Sequence, residues 1–242
     1  MADLSFLYQA TSSISAVDAD YEARNVPRLH LGISSIGAKC PRELWYRHNG
    51  EVGRQPEGRV LRLFKLGNVL EDQVIIDLRS AGFYVHSQQK AVQFERNGLL
   101  LKGSCDGIIE GLLESSKPHL LEIKTASNKR FTELLKVGYE KWDQKYKSQV
   151  HVYAYGLKLD RIYAVVYNKD TSELYAERIR LDKQFAKDMI HRAFDVMEAR
   201  IAPPRKCPNQ TWYEAKWCSF CEICFAEQPQ PTVAKNKILS AW

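Results

Sequence analysis

The stretch 119-HLLEIKTAS-127 places a glutamate and a lysine two residues apart inside an apolar run. Side chains alternate along a strand, so Glu122 and Lys124 share one face while Leu121 and Ile123 build the core on the other. Upstream, 103-GSCDGII-109 ends a second strand-like segment with Asp106 beside Gly103 and Gly107. If the two strands are neighbours, Asp106 meets Glu122 and Lys124. Two carboxylates within reach of each other repel unless a cation joins them, and hard divalent metals take oxygen ligands. A lysine beside such an ion can orient or help deprotonate the attacking water and stabilise charge developing on a phosphate. A surface ion pair with a turn aspartate would leave the same short pattern, so the flanking elements decide between the two.

The first 30 residues have no clean period and read as a loose arm. Ser34 to His48 reads as a helix with Ser34 or Ser35 as N-cap, followed by the polar connector 51-EVGRQPEGR-59. The segment 60–82 has apolar residues three and four apart and ends at Gly82, a helix with a glycine stop. Segments 83–95 and 99–111 read as two strands joined through Asn97-Gly98, a hairpin signal. The Glu122 stretch is a third strand. Helical patches follow at 129–137 and 143–158, then strands 161–169 and 173–181 joined by Asp170 to Ser172, and a helix over 182–201 closed by Ala202-Pro203-Pro204. The final QPQPTVAKNK region reads as a disordered end. There are no internal repeats. The expected fold is α/β (α+β), a mixed central sheet flanked by helices. Its parts are an arm (1–32), an N-terminal helical segment with a cysteine and a basic connector (33–59), a core (60–201), a cysteine-rich segment (202–225) and a flexible tail (226–242).

Two flanking helices carry further polar groups. In 67-GNVLED-72, Glu71 offers another carboxylate to a metal, or lies on a solvated helix face. In 144-QKYKSQVHVYAYG-156, Gln149 and Tyr153 are four apart and share a helix face, with Lys145 one turn earlier. An amide, a phenol and an ammonium on one stripe suit a phosphate backbone or an unstacked base. Inward-packing tyrosines on an amphipathic helix are the other reading.

In order, Gly67-x-x-x-Glu71, Asp106, Glu122-Ile123-Lys124 and Gln149-x-x-x-Tyr153 resemble the motif set of RecB-like nucleases of the PD-(D/E)XK superfamily, over roughly residues 33 to 225. That family commonly has histidine where Glu71 stands. The resemblance implies a restriction-endonuclease-like core, Mg²⁺ or Mn²⁺ held by Asp106, Glu122 and the Ile123 carbonyl, and Lys124 as the catalytic lysine.

Six cysteines occur, at 40, 105, 207, 218, 221 and 224. Three of them fall in 217-WCSFCEICF-225, and thiolates so spaced select Zn²⁺ or an iron–sulfur cluster. Cys207 would complete a compact zinc-type set. Cys105 reads as a small buried residue. The segment 40-CPRELWYR-47 resembles the N-terminal cysteine motif of CRISPR-associated RecB-like exonucleases and their phage relatives. This resemblance implies a structural [4Fe–4S] cluster with one cysteine before the core and three after it. Their tail is Cys-x-x-Cys-x₅-Cys; matching Cys218 and Cys224 to its last two leaves Ala215 at the first. The favoured set is Cys40, Cys218, Cys221 and Cys224, with Cys207 in reserve.

The net charge of +6 and isoelectric point near 8.9 favour polyanionic partners. Arg42, Arg47, Arg54, Arg59, Arg62 and Lys65 alternate with Trp45, Tyr46 and Phe64, which suits single-stranded DNA or single-stranded ends. No apolar run of about 18 residues exists to cross a membrane. The start has neither the basic head nor the apolar centre of a signal peptide, so a reducing cytoplasm is expected. The expected activity is that of a metal-dependent deoxyribonuclease, an exonuclease, working beside recombination or CRISPR proteins. A zinc-binding adaptor without catalysis and a sequence-specific endonuclease are the alternatives.

Overall fold

The computed structural model describes residues 12–226. The expected disordered end lies outside the described residues, apart from Ala226. In chain order the elements are α1 (Ser13–Ala23), a single 3₁₀ turn (Ile33–Ser35), α2 (Pro41–His48), α3 (Gly58–Ser80), β1 (Tyr84–His86), β2 (Ala91–Arg96), β3 (Leu99–Ser104), β4 (Gly107–Glu110) and β5 (His119–Ala126). There follow α4 (Asn128–Val137), α5 (Tyr139–Trp142), α6 (Gln144–Gly156), β6 (Arg161–Asn168), β7 (Leu174–Arg180), α7 (Lys183–Glu198), α8 (Tyr213–Lys216) and α9 (Cys221–Ala226).

Five strands form one mixed sheet in the order β1-β4-β5-β6-β7. Only β5 and β6 run parallel, because the chain between them crosses over through α4, α5 and α6; the other pairs are antiparallel. Helices cover both faces of β5. On one side Leu121 and Ile123 pack with Val74 and Ile75 of α3; on the other Leu120 joins Val150 and Val152 of α6 and Ala193 of α7. His119 to Ile123 are therefore buried, while Lys124 and Thr125 stay partly exposed.

The two long strands expected over 83–95 and 99–111 each break in two. Ser87 and Gln89 take positive φ, 54° at both, and Cys105-Asp106 falls between β3 and β4, so the hairpin tip leaves the main sheet. β1 and β4 stay in the five-stranded sheet, while β2 and β3 form a separate ribbon. Its tip is the Asn97-Gly98 turn, both residues at positive φ as a two-residue hairpin connection requires. Asp106 sits at the corner where the ribbon departs.

Two expectations at the N-terminus are corrected. The arm contains α1, capped by the Ser12 hydroxyl accepting from Ser15 N at 3.2 Å, and α1 docks on α3. Glu22 accepts from Gly58 N at 2.7 Å, Asp18 pairs with Arg62, and a Cβ on Gly58 would lie 2.3 Å from the Asp18 carbonyl. None of the α1 residues is buried, so the helix has no apolar stripe to betray it. The helix expected over 34–48 is a 3₁₀ turn followed by a true helix only from Pro41, with Cys40 at the N-cap position; proline suits the first helical turn because its missing N–H is unneeded there.

Candidate active site

The register Gly107↔Leu121 ends the β4–β5 ladder one step short of Asp106. The Asp106 carboxylate continues it: its Oδ2 accepts the Ile123 amide at 2.7 Å in a buried setting. Asp106 is thereby pinned to the middle residue of Glu122-Ile123-Lys124. Glu122 is 0% exposed, its carboxylate touching the Lys124 ammonium. Apart from that contact, neither Glu122 oxygen has a hydrogen-bond partner among the described residues.

The electrostatics follow from this crowding. Burial and the neighbouring Asp106 push the Glu122 carboxyl up to about 8, against the pull of Lys124. Burial also raises Asp106, opposed by Lys124 and by the Ile123 hydrogen bond. Glu71, reaching in from α3, rises to about 7 through burial and Asp106. Burial alone would lower Lys124, but Glu122 and Asp106 overcome it and hold the ammonium charged. Three carboxyl groups and one cation thus share one interior site. That donor set, with two stranded oxygens on Glu122, fits a hard divalent ion held by Asp106, Glu122 and Glu71. As they stand, no three His, Cys, Asp or Glu side chains among the described residues are drawn close enough together to ligate a metal.

The α6 residues separate. Gln149 and Tyr153 are buried, and Tyr153 lies beneath the ribbon, where a Cβ on Gly103 would meet its Oη at 2.5 Å. Burial and then Glu122 raise the Tyr153 phenol, which places it beside the carboxylates. Lys145 is exposed and lines a cavity of about 1400 Å³ to which Gln149, Tyr153 and those carboxylates do not contribute. A residue passed over in the sequence, Tyr146, completes the inner stripe: the Lys124 ammonium stands 5.4 Å from its ring centroid. Its spacing of three before Gln149 and seven before Tyr153 was the signal available.

Arg42 and Arg47 do not face the carboxylates. Arg42 is buried, donating to Tyr46 Oη at 3.0 Å and to the Pro203 carbonyl at 2.9 Å, so it ties α2 to the chain beyond α7. Arg47 pairs with Glu43 at 2.9 Å and lies 5.3 Å over the Phe220 ring. Arg54 donates to the Lys216 carbonyl at 3.2 Å. These cations join the segment before α3 to the segment after α7.

Cys40, Cys207, Cys218, Cys221 and Cys224 all line the large cavity, and none forms a disulfide. Burial, then Cys40 and other nearby charges, raise Cys207; burial drives Cys218 up to about 11, with Glu43, Cys40 and Cys224 adding to it. The N-terminal thiol and the tail thiols thus line one cavity, although, as they stand, no three of them are close enough to ligate a metal. Cys105 is enclosed, its thiol pushed up to about 11 by burial and Asp106, as a core residue.

No protein-family model matches the chain, and no curated protein matches it in sequence. Among solved structures it is similar to an alkaline exonuclease (LHK-Exo) from Laribacter hongkongensis, at 16% identity and a TM-score of 0.50, over 74% of this chain and 90% of that one. The same exonuclease in complex with dAMP aligns at 14% identity and a TM-score of 0.46, over 76% and 90% of the two chains. A structure of SSO0001 aligns at 18% identity and a TM-score of 0.48, over 89% and 96%. At such identities the likeness is one of fold: a five-stranded mixed sheet flanked by helices, of a nuclease-like kind.

Proposed function

We propose that the chain is a divalent-metal-dependent DNA nuclease that acts from DNA ends. The observation that carries this reading is the buried Glu122 carboxylate, with both oxygens unbonded except for Lys124, set against an Asp106 carboxylate locked to the Ile123 amide. Mg²⁺ or Mn²⁺ would be held by Asp106, Glu122 and the Ile123 carbonyl, with Glu71 as a further oxygen donor. When bound, the ion supplies a water of lowered pKa and offsets charge on the phosphate. Lys124, kept charged, stabilises the negative oxygens of the phosphate as the water attacks. Gln149 and Tyr153 orient the strand from α6. The fold likeness to an alkaline exonuclease supports the substrate class.

The strand's approach lies along the large cavity. Exposed Trp217 and Tyr213 stand there among Lys39, Lys145 and Lys206, stacking surfaces beside phosphate-binding cations. In the same wall the cysteines would hold a structural [4Fe–4S] cluster on Cys40, Cys218, Cys221 and Cys224, with Cys207 in reserve and Zn²⁺ the alternative. Anaerobic purification with iron and zinc analysis and a visible spectrum decides between the metals.

The central test is degradation of end-labelled DNA with Mg²⁺ or Mn²⁺. Asp106→Asn and Lys124→Ala should each lower the rate by at least about 100-fold, on the scale of losing a group that stabilises transition-state charge. EDTA should abolish cleavage. Full metal-dependent activity in either variant would refute the site.

A further inference from the structure

Away from these carboxylates, the start of β5 carries a second buried polar group. His119 is 0% exposed. Its Nδ1 lies 2.8 Å from the Lys117 carbonyl, and a carbonyl only accepts, so Nδ1 carries the proton. Nε2 is then a lone-pair acceptor, and it is buried with no hydrogen-bond partner among the described residues. An orphaned buried acceptor costs stability unless something donates to it.

Around it stands a group of guanidinium ions. A niche of about 260 Å³ is lined by His119, Arg161, Arg178, Ile179 and Arg180. Arg161 and Arg180 are direct cross-strand partners, and Arg178 opposes Tyr163 two positions along, so all three arginines share the face of the sheet that carries His119. Like charges directly opposite on a sheet repel. Arg178 donates to the Glu114 backbone carbonyl at 2.9 Å, while neither Arg161 nor Arg180 has an ion-pair partner among the described residues. The charged groups facing His119 are Arg161, Arg178 and Glu114. Burial lowers the pKa of His119, the Lys117 hydrogen bond opposes that, and the two arginines reinforce it, which keeps the ring neutral.

We propose that this niche binds a phosphate that still carries a proton, either inorganic phosphate or the monoanion of a terminal phosphomonoester. The guanidinium groups take the charged oxygens, in the paired geometry that suits arginine and phosphate. The P–OH donates to His119 Nε2. Sulfate and phosphodiesters have no such proton at neutral pH and leave Nε2 unsatisfied. Glu122 is three residues further along β5, about 10 Å away, and points to the opposite face, so the niche is separate from the metal-binding carboxylates.

The test uses the full chain at pH 7 and matched ionic strength. Inorganic phosphate should raise the thermal midpoint and shift the His119 Nε2 resonance in ¹⁵N-edited histidine spectra; sulfate should do neither. The Arg161→Ala/Arg180→Ala variant should bind phosphate at least about tenfold more weakly, as expected for losing charge-assisted hydrogen bonds. Competition then separates the sources. Displacement of phosphate by a 5′- or 3′-phosphorylated oligonucleotide, and not by its hydroxyl form, identifies a nucleic-acid end; competition by neither identifies free phosphate. Equal responses to sulfate and phosphate, an unmoved His119 resonance, or an unchanged affinity in the double variant would each overturn the proposal.

Discussion

Glu122 and Asp106 are costly residues to bury, and the cost has a measurable pH dependence. A carboxyl whose folded pKa, about 8, exceeds its ordinary 4.5 binds its proton preferentially in the folded state. Its contribution to stability is full below about 4.5 and is lost as pH rises through about 8. Glu71, at about 7, acts in the same direction. Metal-free protein should therefore lose stability from pH 5 to pH 8, by up to about 1.4 kcal/mol per pH unit for each proton involved. Glu122→Gln, which cannot ionise, should flatten that slope, and Mg²⁺ should restore the wild-type protein at the upper end. Urea midpoints across this range measure it; an identical slope in Glu122→Gln would show that the carboxyl ionises freely. At this scale the sequence was informative, because strand alternation put Glu122 and Lys124 on one face. It did not reveal that Glu122 is fully enclosed, since burial depends on α6 and on the Gly103–Tyr153 contact, which no local pattern encodes.

Elements were legible where a period or a turn residue marked them. The β5 strand, the helix ending before Gly82, whose φ is +93°, and the Asn97-Gly98 turn follow from such marks. The break that separates β2 and β3 from β1 and β4 did not, because the polar run Ser87–Lys90 holds no glycine or proline to mark a corner. That corner is what delivers Asp106 to Ile123. Helix α1 was also missed: its attachment is polar, through Glu22 to Gly58 and Asp18 to Arg62. The close approach at Gly58 makes this attachment testable. In Gly58→Val the new side chain would meet the Asp18 backbone, so α1 must detach or α3 must start later. The expected cost is about 1–3 kcal/mol, the range for overpacking a tight contact, and proteolysis within 13–23 should accelerate. Unchanged protection of α1 would mean that the helices slide apart without cost.

At the largest scale, the segments on either side of the core meet. Arg42 reaches the Pro203 carbonyl, Trp45 Nε1 donates to the Ala199 carbonyl at 2.8 Å, and Arg192 donates to the carbonyls of Ile36 and Ala38 at 2.6 and 2.7 Å. The segments 33–59 and 202–225 thus pack as one lobe, and cysteines far apart in sequence come to line one cavity. The basic residues 42, 47 and 54 thus take packing partners across the lobe, a role the sequence did not mark: charge and aromatic interleaving looks the same whether it binds DNA or staples a lobe. Lys39, Lys145 and Lys206 are among the cations that line the cavity, beside Trp217 at 78% exposure and Tyr213 at 74%. An exposed indole of that extent contributes little to folding, so Trp217→Ala should leave the thermal midpoint nearly unchanged. If a single strand stacks there, the same change should weaken binding of single-stranded DNA to the cleavage-inactive Asp106→Asn protein by about 1–3 kcal/mol. It should not alter the salt dependence, because no phosphate contact is removed. Lys145→Ala should do the reverse, reducing the slope of log K against log salt by about 0.7 with a smaller loss at low salt. Fluorescence titrations at several salt concentrations separate the two effects, and equal behaviour of both variants and the parent protein would place the strand elsewhere.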